Sequence, residues 1–256
     1  MRLKGKVAIV TGGAHGIGHA YCLALADEGA KVVVADIDEK GAIATVQEIE
    51  AKGGEALALK TDISDQKSTE EMAKRTVEKF GEIDILVNNA ALFSRVPMTR
   101  ATFDKIPLAE WERMMTVNLT GAFLCIRAVV PQMKAQGGGK IINISSSAYF
   151  TGTGNRVHYL TTRGGIIGMT RGLAHELGEF NINVNCVAPG STLSEEADIQ
   201  DYEKKVELRK RAVSLRALKR IEYPEDLVGA IVFLASKDSG FITGQTIVVD
   251  GGQVMH

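Results

Sequence analysis

The chain has 256 residues, 45% of them hydrophobic, and a net charge of −1 with acids and bases interspersed. That length supports a substantial core in one large α/β domain or two small ones, and no linker divides it in two. The evenly mixed charge excludes an extended nucleic-acid patch or a polybasic membrane anchor, which leaves small molecules as the expected partners.

From Met1 a short basic stretch passes directly into strand-like sequence with no apolar leader, and no later segment reads as a membrane span, so a cytoplasmic protein is expected. Short β-branched runs then alternate with amphipathic segments. Strands are predicted at Val7–Thr11, Lys31–Asp36, Ala56–Lys60, Ile85–Val87, Lys140–Ile144, Asn183–Val187 and Thr246–Val249. Helices are predicted at Gly16–Glu28, Glu39–Lys52, Gln66–Phe80, Leu108–Gln136, Val157–Gly178 and Pro224–Ser236. Repeated βαβ units of this kind build a doubly wound sheet of seven parallel strands flanked by helices, here one domain over residues 1–256. Ligands of such sheets bind at the carboxyl ends of the strands. Gly137, Gly138 and Gly139 stop the fourth helix. Between Ser191 and Tyr223 the rhythm breaks: the chain is polar, with a helical stretch near Asp201–Leu215 and no strand after it. This excursion is expected to serve as a substrate lid. Cys22, Cys125 and Cys186 lie scattered in apolar runs, the pattern of reduced core thiols, and no metal site is predicted.

The first strand is followed by Thr11-Gly12-Gly13-Ala14-His15-Gly16-Ile17-Gly18 and then a helix. Glycines at 12, 16 and 18 allow a sharp turn and close approach of a ligand, while the helix N-terminus offers unpaired N–H groups to a pyrophosphate. His15 can contact a phosphate or stand as an exposed loop residue. Asp36 ends the second strand 18 residues past Gly18, where a carboxylate can accept from the adenosine ribose hydroxyls and repel a 2′-phosphate. NAD is therefore expected over NADP, although Asp36 can equally cap the following helix. At the head of the fifth helix, Tyr159 and Arg163 are four residues apart and project from one face. A nearby cation favours the phenolate form of a tyrosine. Alone, such a pair is more often a solvated helix face.

Taken together these residues resemble the short-chain dehydrogenase/reductase family in its single-domain, Rossmann-type form, with the likeness running from Lys6 to the C-terminus. Gly12, Gly16 and Gly18 match the family's glycine turn, and Asp62 matches its adenine-contacting acid. Asn88-Asn89-Ala90-Ala91 resembles its Asn-Asn-Ala-Gly turn, with Ala91 in place of the glycine. Asn118 matches the family's helix asparagine, and Ser146 lies 13 residues before Tyr159, the separation of the family's serine and tyrosine. Pro189-Gly190 followed by Ser194 resembles the turn that holds the nicotinamide carboxamide. The resemblance implies a cofactor site that also includes His15, Ile17, Ile63, Asn89, Ala90, Tyr159 and Arg163, and a catalytic set of Ser146, Tyr159, Asn118 and Arg163. Other readings of single residues stay open: Asp62 as a cap for a helix near Ser64, Asn118 as an amide bonded to a nearby carbonyl, and Ser194 as a helix N-cap.

The family's pattern has lysine where this chain has Arg163. Arginine supplies the charge, but its fork is bulkier, its hydrogen bonds have fixed directions, and it does not release a proton to a relay. Impaired turnover, or a site readjusted around the guanidinium, is expected. Phe93, Phe150 and Leu193 are candidate walls of an apolar substrate pocket. The C-terminal run resembles bacterial NAD-dependent members that oxidise aryl or cyclic secondary alcohols, which implies a small, mostly apolar alcohol or ketone as substrate. It also resembles 3-oxoacyl-carrier-protein reductases, and a cofactor-binding scaffold without turnover is a third possibility. Family resemblance implies a homotetramer, and Gly164, Gly168 and Gly172 would give the Tyr159 helix a smooth packing stripe.

Overall fold

The computed structural model describes residues 1–93, 98–194, 206, 209–210 and 212–255. Among these residues seven strands form one parallel sheet: β1 (Val7–Thr11), β2 (Lys31–Asp36), β3 (Ala56–Lys60), β4 (Ile85–Asn88), β5 (Gly139–Ile144), β6 (Ile182–Pro189) and β7 (Thr246–Val249). Their order is β3-β2-β1-β4-β5-β6-β7. The order reverses between β1 and β4, which opens a crevice at their carboxyl ends where ligands of such sheets bind.

Strand periodicity explains why the inner strands are apolar throughout. Ala8 and Val10 of β1 enter one core layer and Ile9 enters the other, as Val32 and Val34 of β2 are opposed by Val33 and Ala35. The first layer is covered by α1 (Gly16–Asp27) and α2 (Glu39–Ala51), and by the helix Glu225–Ala235 near the C-terminus. The second is covered by α3 (Gln66–Phe80), by the helix Gly121–Ala135 and by the helix carrying Tyr159. A strand sandwiched in this way needs side chains on both faces. Full burial of each such aliphatic contributes about 1.5–3 kcal/mol.

Helix limits follow local chemistry. Asp38 caps α2 through Gly41 N, and Asp65 caps α3 through Lys67 N. Neither Asp36 nor Asp62 is a cap: Asp62 instead accepts from the Ser64 N–H and hydroxyl in a turn before α3. The predicted helix Leu108–Gln136 is broken into α4 (Leu108–Met115), a π-helical turn at Thr116–Thr120, and α5 (Gly121–Ala135). Contrary to the sequence reading, the continuous run Leu108–Ala135 is long and apolar enough to cross a membrane. In this fold it is a core helix, with Cys125, Ile126, Val129 and Met133 packed in the second core layer. A short helix that the sequence pattern did not suggest, α6 (Ser147–Thr151), follows β5, and then α7 (Val157–Leu177) and α8 (Glu225–Ala235) complete the set.

The three cysteines are buried and unpaired. Burial pushes the Cys125 and Cys186 thiols up to about 12, which suits inert core residues. Of the predicted helix near Asp201–Leu215, Val206, Arg209–Lys210 and residues 212–215 are helical, and the remainder lies outside the described residues. Thr192 bridges Glu222 in parallel, so the two roots of the Ser191–Tyr223 excursion meet.

Candidate active site

A cleft of about 1500 Å³ runs along the carboxyl edge of the sheet. It is lined by Gly12, His15, Gly16, Ile17, Gly18, Asp36, Asp62, Ile63, Asn89, Ala90, Pro189, Gly190 and Ser194, and by Ser146, Tyr159, Arg163 and Phe93. Residues as far apart in sequence as Gly12 and Gln253 thus share one volume.

At the β1–α1 turn two glycines are required. Gly12 has φ +65°, and a Cβ there would lie 2.8 Å from Ala90 Cα; a Cβ on Gly18 would overlap the Gly12 carbonyl oxygen. The Asn89 amide donates to the carbonyls of Thr11 and Gly12, each at 3.0 Å, which ties this turn to β4. The result is a cradle at the N-terminus of α1 that only a backbone without side chains leaves open, suited to a pyrophosphate. Asp36 accepts from Ala14 N at 3.0 Å and from Asp38 N at 2.9 Å, so its carboxylate is fixed at the end of β2. His15 Nε2 lies 2.7 Å from Asp38 Oδ2, so His15 is paired rather than free in the loop. The glycine cradle and the fixed carboxylate together fit a nicotinamide dinucleotide.

Beyond the switch point, β5 and α7 bring the remaining groups together. Ser146 follows β5 and caps α6, accepting from Ala148 N at 3.2 Å, which leaves its own hydroxyl proton free to donate into the cleft. Tyr159 is 5% exposed and stacks on Phe93 with ring centroids 4.9 Å apart. The Arg163 guanidinium carbon lies 4.8 Å from the centre of the same ring. Its Nη1 donates to the Ile144 carbonyl at 2.9 Å, and Ser145 Oγ donates to the Arg163 carbonyl at 2.9 Å, so the residue is held at both ends. The buried Arg163 Nε has no acceptor among the described residues.

Asn118 sits within the π-helical turn, outside the cleft lining. Its Oδ1 accepts from Leu92 N at 2.7 Å and its Nδ2 donates to the Leu92 carbonyl at 3.3 Å. The side chain therefore holds the loop after β4, the carbonyl-bonded arrangement that was one of its two sequence readings. Asn88 donates to Asn143 Oδ1 at 3.0 Å, and Asn143 donates to Thr170 Oγ1 at 2.9 Å. This buried chain locks β4, β5 and α7 in register behind the cleft.

Two expected pocket walls lie elsewhere. Leu193 is 1% exposed and does not line the cleft, because Leu193 N bonds the Glu222 carbonyl and holds the residue inward. Phe150 packs against the cluster of Ala122, Ile166, Ile167 and Cys186, and meets Tyr149 edge-on. Ser194 borders the cleft, as its cofactor-site reading requires, and its alternative reading as a helix N-cap falls on residues from Glu195 onward that lie outside the described ones.

Sequence reasoning missed a buried ion pair beneath the Gly190 turn. Arg216 and Glu222 are 2% and 4% exposed and meet at 2.9 Å. Glu222 also accepts from Gly190 N at 3.1 Å and Thr192 Oγ at 2.8 Å, while Arg216 donates to the Ser191 carbonyl at 3.0 Å. Burial pushes the Glu222 carboxyl up, against the pull of Thr192 and Arg216. The pair grips three consecutive residues of the turn. Arg100, Arg156 and Arg209, also unforeseen, line the Tyr159 end of the cleft.

A doubly wound parallel sheet with a glycine cradle at its switch point, and a serine and a tyrosine facing that cradle, defines a nucleotide-dependent oxidoreductase. A family model described as enoyl-(acyl carrier protein) reductase matches residues 12–254. The chain belongs to the short-chain dehydrogenase/reductase family, whose members use NAD(P). It is similar to the (2S)-[(R)-hydroxy(phenyl)methyl]succinyl-CoA dehydrogenase subunit BbsD of Thauera aromatica, 39% identical over 99% of this chain and 98% of that one. The 3-oxoacyl-[acyl-carrier-protein] reductase FabG of Thermotoga maritima is 37% identical over the whole of both chains. Among solved structures, levodione reductase superposes with a TM-score of 0.90 at 28% identity, covering 98% of each chain.

Proposed function

We propose that this oxidoreductase transfers a hydride between NAD(H) and a small secondary alcohol or ketone with a largely apolar body. The observation that carries this reading is the placement of Tyr159 and Ser146 on the same cleft as the glycine cradle. Bound nicotinamide would supply the hydride acceptor or donor. Tyr159 would move the hydroxyl proton, and Ser146 would donate to the substrate oxygen and stabilise charge on it. Phe93, stacked on Tyr159, offers an apolar wall for the substrate. Arg163 would place a fixed positive charge beside the Tyr159 ring and reach the nicotinamide ribose, and Asn118 would steady the Leu92 loop that closes this side of the site. The Arg216–Glu222 pair would hold the Gly190 turn against the carboxamide.

NAD is favoured over NADP because Asp36 and Asp38 stand at the end of β2, where a 2′-phosphate would meet like charge. A homotetramer is also proposed. Gly168 and Gly172 have no atoms within 4 Å of where a Cβ would be, leaving part of the α7 stripe open to another copy, whereas Gly164 already faces Tyr149. A cytoplasmic location is proposed with it. Fluorescence titration with NADH, followed by a spectrophotometric screen of secondary alcohols with NAD, tests the reading. Binding with turnover supports it, and binding without turnover of any alcohol or ketone would leave a scaffold. Turnover confined to 3-oxoacyl thioesters with NADPH would instead place the chain with the carrier-protein reductases.

A further inference from the structure

Three arginines that this chemistry leaves unused gather at the Tyr159 end of the cleft. Arg156 is the residue that precedes α7, and its guanidinium carbon lies 5.6 Å from the centre of the Tyr159 ring. Arg209 donates through Nη2 to the Thr192 carbonyl at 2.9 Å, which aims it over the Gly190 turn. Arg100 follows Thr99, whose N and Oγ are both bonded to the Glu110 carboxylate, at 2.7 and 2.6 Å. His158 Nε2 lies 3.1 Å from the same carboxylate, so the segment carrying Arg100 is pinned to the head of α7.

Among the described residues no carboxylate pairs with these three arginines. Among the described residues lining the cleft, the acids are Asp36, Asp38 and Asp62, all in the β2–β3 half. Two carboxylates near the arginines are engaged: Glu110 by Thr99 and His158, and Glu222 by Arg216, Thr192 and Gly190. The buried Nε atoms of Arg156 and Arg209 have no acceptor among the described residues. Burial lowers the pKa of both guanidinium groups, and the charge of Arg100 adds to that in each, opposed by Tyr159 at Arg156 and by Glu222 at Arg209. Like charges held together, with buried N–H groups unsatisfied, are costly until an oxyanion enters between them.

We propose that Arg100, Arg156 and Arg209 form a receptor for a carboxylate carried by the substrate, a short carbon chain from its carbinol carbon. The substrate class is then a hydroxy acid or keto acid with an apolar body. This rests on the dehydrogenase reading and narrows it. The carboxylate is not consumed; it orients the carbinol between Tyr159 and Ser146.

Acetoacetate and levulinate, each compared with its methyl ester at saturating NADH, give the direct test. The acids should be favoured in kcat/KM by about 10-fold or more, the size expected of one or two charge-assisted hydrogen bonds. That ratio should fall towards unity in the Arg156→Gln, Arg209→Gln double variant, whose NADH affinity serves as the folding control. Esters reduced as well as acids, or a preference that survives in the double variant, would overturn the proposal. A second measurement stands apart from turnover: calorimetric titration of glutarate, phenylacetate and inorganic phosphate into the NADH-loaded protein. Binding of the carboxylates that is lost in the double variant supports the receptor even if no alcohol is oxidised. Binding of phosphate alone, or of none of the three, refutes it.

Discussion

At the β2–β3 end of the cleft the acids are Asp36, Asp38 and Asp62, whereas Arg100, Arg156, Arg163 and Arg209 gather on the Tyr159 side. The acidic end is complete within the protein. Asp36 is held by Ala14 N and Asp38 N, and Asp62 by Ser64, before any ligand arrives. The basic end is not, since the Nε atoms of Arg156, Arg163 and Arg209 are buried without acceptors among the described residues. One end is a preformed mould, and the other reaches its lowest energy only with an anion or cofactor in place.

The largest expected break in this comparison is at Tyr159. Tyr159→Phe keeps the ring against Phe93 and Arg163 but removes the hydroxyl, and kcat should fall by about 100-fold or more, the weight of a general acid–base group. NADH titration should show unchanged affinity, because the acidic end is untouched; joint loss of binding and turnover would mark Tyr159 as structural. At the acidic end, Asp36→Asn keeps hydrogen-bond acceptance and removes the charge. The ratio of kcat/KM for NAD over NADP should drop by about 10-fold, and an unchanged ratio would assign cofactor choice to other residues.

Arg163→Lys sharpens the basic end. If the guanidinium hinders proton release, kcat/KM should rise by about 10-fold. A flat or lower value would show a site adapted to the fork that Ile144 now anchors.

The smallest effect concerns Glu110. The Thr99 hydroxyl first, with further help from Thr99 N and His158, holds its carboxyl below the usual carboxylate range. A depressed folded pKa means that this anchor contributes fully above the ordinary glutamate pKa of about 4.3 and is lost as pH falls through the lower folded value. Thermal melts of Glu110→Gln should therefore lie below wild type at neutral pH and converge with it in acid. A constant gap across pH would exclude the ionised anchor.

Most of the sheet was legible because most strands are apolar, largely β-branched runs bounded by turn residues, and the long helices alternate with them. The glycine turn, Asp36 and Ser146 were legible because each follows or ends a strand, and Tyr159 because its separation from Ser146 matches the pattern of the family that the chain resembles. Other features needed the fold. The π-helical turn at Asn118 breaks a helix whose apolar period continues through it, so periodicity carries no mark of the break. Arg100, Arg156 and Arg209 are more than fifty residues apart in sequence, and a near-neutral composition gives no hint that they converge. Arg216 and Glu222 lie in a charged stretch that reads as solvated, yet burial of each is possible because the other neutralises it. Leu193 and Phe150 were apolar residues near site motifs, and nothing in sequence distinguishes a wall of the cleft from the core behind it.

The contact between Thr192 and Glu222 has a consequence for how this protein can change. Leu193 N bonds the Glu222 carbonyl at 2.8 Å, and the Arg216–Glu222 pair clasps the Gly190 turn from the returning end of the excursion. A loop fastened at its roots transmits little of its own length to what lies below, and doubling such a loop costs only about 0.6 kcal/mol in closure entropy. Insertions between the roots that spare Arg209 and Arg216 should therefore cost little stability and leave the Gly190 turn clasped as it is.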